Sequence, residues 1–309
     1  MFPLLFEKTR RLAALAALLV LSACVTAPQG PPAPASQAAA QAAPAADVPP
    51  PRAPRIGLAL GGGAARGFAH IGVIQVLEEN GIRPDLVVGT SAGSLVAALY
   101  ASGKNAAALS RLADGMDETA FTDWSFPGRG LLRGEALARY VREHTGGRMI
   151  EQMKLPLGIV ATDLDSGQPI LFQMGDAGMA VRASSAVPAV FMPVRIGTRE
   201  YVDGGLVAPV PVRFARQMGA ELIIAVDISA APDGNPTGDP MRMLLQTFAI
   251  MGRSINSFEL READVVMRPE LRGVGGADFT ARRRSIQAGR DAALAQLAAL
   301  RLRIAAGTR

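Results

Sequence analysis

Short apolar runs alternate along this chain with longer segments in which apolar residues recur every three or four positions. The first two runs are IGLALGG at 56–62 and DLVVG at 85–89, and each ends in glycine. Runs of this length that end in a turn residue are typical of buried strands. Between them, residues 64–80 carry apolar side chains at helical spacing and stop at Asn80-Gly81. The pattern therefore predicts a strand, a helix and a second strand.

The same alternation continues to the end of the chain. It predicts further strands at 155–164, 199–205, 221–229 and 263–269. It predicts helices at 91–102, at 135–144, within 176–191 before Pro188, and at 211–219, 240–260 and 281–304, and it leaves 103–134 irregular. Strongly apolar strands that alternate with helices favour an α/β fold, in which helices cover both faces of a mostly parallel sheet.

The N-terminal residues follow a different pattern. A basic stretch at 1–11 precedes the apolar run LAALAALLVL at 12–21, which is followed by LSAC ending at Cys24. The apolar run is shorter than the roughly 20 residues that a membrane-spanning helix needs, and the layout is typical of a secretory signal. LSAC also resembles the bacterial lipoprotein signal, whose cysteine becomes lipidated and starts the mature chain. We therefore predict a signal peptide at 1–23; the alternative is an ordinary secretory signal that is cleaved nearby, with an incidental thiol.

Residues 24–54 begin with this cysteine and continue as an Ala- and Pro-rich segment without hydrophobic periodicity. Because proline disfavours both helix and sheet, we predict a linker here and a folded domain at 55–309. Val25 after the cysteine resembles lipoproteins sorted to the outer membrane. The expected location is thus the bacterial cell envelope, with the protein lipid-anchored to the outer membrane and facing the periplasm.

Composition narrows the classes of partner and cofactor. The formal charge is +5, but the basic residues are scattered, with one run at 282–284, and aromatic residues make up only 5%. This argues against a nucleic-acid partner. Cys24 is the single cysteine, so the chain has neither an intramolecular disulfide nor a cysteine-based metal site.

The segment GTSAG at 89–93 carries the first candidate chemistry. Gly-x-Ser-x-Gly between a strand and a helix is the pattern of a nucleophile elbow. Gly89 and Gly93 leave the serine accessible, and Ser91 stands at a helix N-terminus, where negative charge is favoured. The alternative is a plain helix cap, in which Ser91 or Thr90 accepts backbone N–H groups.

A serine nucleophile needs a base, and histidine does not supply one here in the expected order. The chain has two histidines, His70 and His144, and both precede every acidic residue at a predicted later strand end. In α/β-hydrolases the histidine follows the acid. We therefore interpret His70 as a packing or capping residue and His144 as a cation at a helix C-terminus, and we expect a carboxylate base.

Asp203 is the preferred base. It ends the predicted strand in YVDGG, and Gly204 and Gly205 allow other groups to come close. A dry site would raise its pKa from about 3.9 and make it a better base at neutral pH. Asp163 and Asp227 also end predicted strands and remain alternatives, with loop stabilisation as their simpler role.

The glycine-rich segment GLALGGGAARG follows a strand and opens a helix, as in a dinucleotide site. Its spacing is one residue off G-x-G-x-x-G, no acidic residue ends the next strand, and no Gly-Lys-Ser/Thr marks a P-loop. We therefore interpret it as an oxyanion hole made by the amides of Gly62 and Gly63, with Arg66 nearby. This requires that the strands at 56–60 and 85–89 be neighbours.

A later apolar stripe bears on the substrate. Met243, Leu244, Phe248, Met251 and Ile255 fall along one side of the predicted helix 240–260. A methionine-rich stripe at helical spacing is more often core than acyl channel, so we expect these residues to be buried.

The segments GGGAARG, GTSAG and DGG occur in the order found in a known family, and the match extends through VATDLDSGQPI, AVRASSAVPAVFMPV and GAELIIAVDIS. Over roughly residues 55–230 the chain resembles the patatin-like phospholipases, in particular the bacterial group related to neuropathy target esterase. The resemblance implies a three-layer α/β/α fold and a Ser91–Asp203 dyad that needs no histidine, metal or cofactor. It also implies an oxyanion hole at Gly61 to Gly63 with Arg66 alongside.

The implied activity is hydrolysis of acyl esters, of the phospholipase A, lysophospholipase or carboxylesterase type, with a lipid or acyl ester as substrate and the membrane reached through the N-terminal anchor. One position departs from the family: Ala208 stands where similar sequences often carry Asn after DGGLV. This departure is the only sequence support for the alternative, a membrane-tethered acyl-binding lipoprotein with a weak or inactive site.

Overall fold

A computed structural model of the protein describes residues 52–116, 123–125, 129–232 and 237–308. The predicted signal peptide, Cys24 and the linker up to residue 51 lie outside the described residues. The strands are β1 Ile56–Leu60, β2 Leu86–Thr90, β3 Gly130–Leu132, β4 Leu157–Asp163, β5 Pro169–Phe172, β6 Ala189–Phe191, β7 Val194–Ile196, β8 Arg199–Asp203, β9 Leu222–Val226 and β10 Val265–Met267. The helices are α1 Phe68–Glu79, α2 Ala92–Ala101, α3 Ala106–Asp114, α4 Glu135–Thr145, α5 Ala177–Ser184, α6 Val212–Gln217, α7 Pro240–Glu259 and α8 Arg282–Gly307.

The main sheet has the strand order β10-β9-β1-β2-β4-β8-β7, and β5 also pairs with β4. The strands from β10 to β4 in this order are parallel, whereas β8, β7 and β5 run antiparallel to their partners. This confirms the predicted α/β fold with a mostly parallel sheet. β3 and β6 form a separate two-stranded sheet.

Both faces of the sheet are buried, which explains why β1 and β9 carry no polar side chain. In β9, Leu222 and Ile224 pack in the cluster that includes α1 and α2, whereas Ile223 packs with Phe214 of α6 on the opposite face. A strand covered on both sides has no solvent-facing position, so its sequence shows no polar alternation. The helices therefore flank the sheet on both faces.

The structure corrects the prediction that residues 103–134 are irregular. Helix α3 lies within this segment, and its first turn is capped by the Asn105 side chain, which accepts the Ala108 N–H at 2.9 Å. The strands β3, β5, β6 and β7 were not predicted either. Among the described residues β5 pairs with β4 alone, and it begins at Pro169. In the part of the chain that is described, no helix has the length and apolar character needed to cross a bilayer.

Candidate active site

The glycine loop, residues 61–64, and the serine turn emerge at the same edge of the sheet. β1 and β2 are adjacent and parallel, with Leu60 opposite Gly89, so the two segments that follow them are neighbours. They are in close contact, because a Cβ atom added to Gly62 would lie 3.1 Å from the Ser91 Cβ. The condition for a shared site, that strands 56–60 and 85–89 be neighbours, is therefore met.

Ser91 occupies a sharp turn between β2 and α2 with φ of 52° and ψ of −124°. A positive φ is unfavourable for a residue with a side chain and persists only where the surroundings enforce it. The turn is possible because Gly89 and Gly93 lack side chains. A Cβ atom on Gly93 would lie 2.2 Å from the Leu60 carbonyl oxygen, and one on Gly89 would lie 2.4 Å from the Gly93 oxygen.

The Ser91 hydroxyl donates a hydrogen bond to the carboxylate of Asp203, with 2.7 Å between Oγ and Oδ2. The other carboxylate oxygen, Oδ1, accepts the Gly205 N–H at 2.6 Å. Both acidic and hydroxyl side chains are buried. Burial raises the pKa of Asp203 to about 6, while the hydrogen bonds from Ser91 and Gly205 act in the opposite direction. The pair can therefore transfer a proton near neutral pH.

Strand pairing brings Asp203 to this position. β8 runs antiparallel to β4 with Asp203 opposite Ala161, and Val160 of β4 lies opposite Thr90 of β2. Because β5 occupies the other edge of β4, β8 lies on the same edge as β2, just past the last residue of β2, and the carboxylate meets Ser91 there. Gly204 makes the following turn possible, because a Cβ atom there would lie 2.2 Å from the Val160 carbonyl oxygen.

Ser184 is a site residue that no sequence motif predicted. Its Oγ accepts the Ser91 N–H at 2.8 Å and donates to the Val160 carbonyl at 2.5 Å. It therefore holds the backbone of the serine turn against β4. No local motif marks it; its only signal was its place within AVRASSAVPAVFMPV, one of the segments that carry the family resemblance.

The hydrogen bonds of the glycine loop differ from those expected of the predicted oxyanion hole. The Gly61 N–H donates to the Val226 carbonyl at 3.0 Å, and the Gly62 N–H donates to the Pro209 carbonyl at 2.9 Å. These two amides are therefore committed to neighbouring backbone acceptors. Among the described residues, the next amides in the loop, Gly63 and Ala64, donate to no acceptor.

A further free donor lies on the serine turn itself. The amides of Ala92 and Gly93 are the first of helix α2, and within the described residues neither has an acceptor. The amide that follows a nucleophilic serine is a common oxyanion donor, and this rule could have identified Ala92 from the sequence. The donors that remain available are thus Gly63 and Ala64 on the loop, and Ala92 and Gly93 on the turn.

Arg66 lies beside the glycine loop, and its side chain braces the loop. The Nε group donates to the Ile228 carbonyl at 2.9 Å. Burial lowers the pKa of Arg66, and the nearby Asp227 partly offsets this effect. The hydrogen bond ties the end of the loop to the segment that follows β9.

The two histidines lie elsewhere. The ring of His70 is fully buried, and its Nε2 donates to the Gly61 carbonyl at 2.8 Å. Burial lowers the pKa of His70 to about 4. His144, at the end of α4, packs against the Tyr140 ring with 4.2 Å between centroids. Within the described residues, neither histidine hydrogen-bonds with Ser91.

The alternative acids have structural partners. Asp163 accepts from the Ser166 N–H at 2.9 Å and pairs with Arg199 at 2.8 Å; together these contacts lower the pKa of Asp163 to about 2. Asp227 accepts the Ser229 N–H at 3.1 Å and pairs with Arg268. Across the described ranges, no group of three or more His, Cys, Asp or Glu side chains is arranged to hold a metal ion.

Ala208 does not leave the loop after Asp203 unsupported. Its N–H donates to the Gly204 carbonyl at 2.9 Å, and its carbonyl accepts the Thr90 hydroxyl at 2.9 Å. Main-chain contacts therefore fix the loop at the position where similar sequences often carry Asn.

The chain is similar in sequence to a known protein family. The family model described as patatin-like phospholipase matches residues 58–216. An uncharacterised NTE family protein of Mycobacterium tuberculosis is 36% identical over 195 residues, which cover 59% of this chain and 51% of that protein. The mouse patatin-like phospholipase domain-containing protein 6 is 33% identical over 184 residues, which cover 57% of this chain and 14% of that protein. The chain thus spans about half the length of the first of these curated relatives and less of the second.

Among solved structures, VipD from Legionella pneumophila superimposes with a TM-score of 0.54 at 15% sequence identity, covering 79% of this chain and 66% of that one. At this identity the likeness concerns the fold alone. It agrees with the mostly parallel sheet flanked by helices.

Proposed function

This chain belongs to the patatin-like phospholipase family, and we propose that it is a serine acyl-ester hydrolase that acts on lipids through Ser91 and Asp203. The observation that carries the proposal is the 2.7 Å hydrogen bond from the Ser91 hydroxyl to the buried carboxylate of Asp203. A hydroxyl at a strained turn, a base with a raised pKa and free amides beside them are the parts that acyl transfer requires.

In the proposed mechanism, Asp203 accepts the Ser91 proton while Oγ attacks the ester carbonyl. The free amides of Gly63 and Ala92 stabilise the resulting oxyanion. When the intermediate collapses, the ester C–O bond breaks and the departing alcohol takes the proton from Asp203. Water then attacks the acyl-serine and gives its proton to Asp203, and that proton returns to Ser91 as the fatty acid leaves.

The rate should depend on the protonation state of Asp203. Its carboxylate must be ionised to accept the serine proton, and its pKa is raised to about 6. We therefore expect kcat/KM to rise about tenfold per pH unit on the acid side of this value and to level off above it. The measurement is a pH profile on a soluble short-chain ester. A midpoint near the ordinary aspartate value of about 3.9 would contradict a buried base.

Helix α7 supports a lipid substrate. We expected its methionine-rich stripe to be buried, but Met243 is 53% exposed and Met251 is 47% exposed. The other members, Leu244, Phe248 and Ile255, are half-buried. Ile250 and Phe258 of the same helix are also exposed. Exposed apolar side chains clustered on one helix are typical of surfaces that bind lipid or protein.

The same helix is tied to the loop that follows Asp203. The side-chain oxygen of Asn256 accepts the Val210 N–H of this loop at 3.1 Å, and Glu259 forms an ion pair with Arg213 of the following helix α6. The exposed apolar side chains of α7 are thus carried by a helix that is fixed to the loop following Asp203.

The triple variant Met243→Ser, Ile250→Ser and Phe258→Ser distinguishes a role in lipid binding from a role in the hydrolysis step. Because these side chains are exposed, their loss should leave the fold unchanged. We expect hydrolysis of phospholipid vesicles to fall at least about tenfold, since each buried apolar side chain contributes about 1.5 kcal/mol or more to binding. Hydrolysis of a soluble short-chain ester is the internal control and should stay constant. An equal fall on both substrates would contradict a docking role.

We also propose that the protein acts on membrane lipid by proximity, through the lipid anchor predicted at Cys24.

The direct test of the function is to incubate purified protein with phospholipids of defined acyl chains and to identify the released products. Free fatty acid together with the matching lysolipid supports the proposal. The same incubation is repeated with lysophospholipid and with a soluble ester. If all three substrates remain intact, the protein is not an acyl-ester hydrolase.

A further inference from the structure

The glycine loop beside Ser91 has a strained backbone conformation that depends on surrounding contacts. Ala64 has φ of 51°, a left-handed conformation that is unfavourable for alanine. The free amides of the loop, Gly63 and Ala64, can serve an oxyanion only if this shape persists. Strained backbone of this kind is maintained by the contacts around it.

Most of the contacts that hold the loop are made by backbone. The Gly61 and Gly62 amides donate to the carbonyls of Val226 and Pro209. One side chain also contacts Gly61: the His70 ring, whose Nε2 lies 2.8 Å from the Gly61 carbonyl oxygen. Gly61 is therefore held through both its N–H and its carbonyl.

The chemistry of this contact fixes the state of the ring. A carbonyl oxygen only accepts, so Nε2 must carry the hydrogen. Burial lowers the pKa of His70 to about 4, so the ring is neutral at neutral pH and Nδ1 is unprotonated. Among the described residues, Nδ1 has no hydrogen-bond partner and the ring is fully buried. His70 therefore has no route to exchange a proton with a substrate.

We propose that His70 is a positioning residue of the active site: its Nε2–H holds the Gly61 carbonyl and thereby keeps the next amides, Gly63 and Ala64, aimed at the oxyanion. The inference rests on the proposed function. It assigns to the histidine the alignment of the donors and leaves proton transfer to Asp203. A buried histidine that only filled space would affect stability without changing the rate of the folded enzyme.

Two substitutions separate these roles. His70→Leu fills a similar volume with an apolar side chain but removes the Nε2–H donor. His70→Gln retains an amide N–H that can reach the Gly61 carbonyl. We expect His70→Leu to lower kcat at least about tenfold with little change in KM, because removing an oxyanion donor outright costs about 10²–10³ in rate. His70→Gln should recover most of the loss.

Rates are expressed per active site, counted by the final stoichiometry of fluorophosphonate labelling, so that unfolded protein does not contribute. The labelling rate constant should fall in His70→Leu in parallel with kcat. Equal kcat per labelled site in the wild type, His70→Leu and His70→Gln would overturn the proposal, as would a loss in His70→Gln as large as that in His70→Leu.

A spectroscopic test does not depend on turnover. The chain has two histidines, so nitrogen NMR of the labelled rings gives two sets of signals, and a His144→Gln variant assigns them. We expect His70 to be the neutral Nε2–H tautomer and to titrate only near a pKa of about 4. An Nδ1–H tautomer, or titration near the ordinary value of about 6.5, would overturn the inference. If the wild type neither labels nor hydrolyses esters, the proposed function fails, and this NMR result separates that failure from the failure of the inference.

Discussion

Replacement of Ser91 by alanine is expected to abolish acyl-ester hydrolysis and labelling by a fluorophosphonate probe. The hydroxyl is the group that would form the acyl-enzyme. Among the described residues, no second hydroxyl hydrogen-bonds with the Asp203 carboxylate. Loss of a nucleophile typically lowers kcat by about 10⁴-fold or more, leaving only the contribution of oxyanion donors and binding. The measurements are probe labelling resolved by mass spectrometry and kcat on a soluble ester.

Ser102→Ala is the matched control. Ser102 lies at the other end of helix α2, is also buried, and donates to the Leu99 carbonyl at 2.7 Å. It should label and turn over like the wild type. Labelling of Ser91→Ala at the wild-type level would show that another residue is the nucleophile and would contradict the proposed mechanism.

Replacement of Asp203 by asparagine should have two opposite effects. Activity should fall by about 10³-fold or more, because the amide cannot accept the Ser91 proton. Stability at neutral pH should rise. The asparagine oxygen can still accept the Gly205 N–H, and its amide can donate to the Ser91 hydroxyl, while the cost of burying a charge disappears.

The sign and the pH range of the stability gain follow from the raised pKa of Asp203. Between the unfolded value of about 3.9 and the folded value of about 6, the folded protein binds more protons than the unfolded chain. The contribution of this carboxyl to stability is therefore greatest below about pH 4 and is lost as the pH rises through about 6. The gain from Asp203→Asn should appear over that range and reach at most roughly 3 kcal/mol at neutral pH.

Asp163→Asn is the control with the opposite sign. Hydrogen bonds from Ser166 and Arg199 lower the pKa of Asp163 to about 2, so its charge stabilises the fold at neutral pH. This variant should lose stability and keep its activity. Thermal unfolding across a pH series, together with kcat, checks both variants. A destabilised Asp203→Asn, or one that keeps its activity, would contradict a buried general base.

The positions of most helices and strands could be predicted because they depend on local pattern. Apolar runs covered on both faces identified the central strands, and glycine, serine and spacing identified the turn at Ser91. Helix α3 was missed within 103–134, and the exposure of Met243 and Met251 was not predicted. Whether an apolar helix face is covered depends on which element packs against it, and a single segment does not carry that information.

The sequence by itself determined the parallel strands of the sheet and most of the helices, the serine turn and the absence of a histidine in the expected place. Only the tertiary structure decided which of three aspartates meets Ser91, because the partners are 112 residues apart and the antiparallel register of β8 on β4 brings them together. It also decided which loop amides are free, since the acceptors that occupy Gly61 and Gly62 come from Val226 and Pro209. Short-range preferences shape a turn, whereas the packing of distant strands decides what that turn contacts.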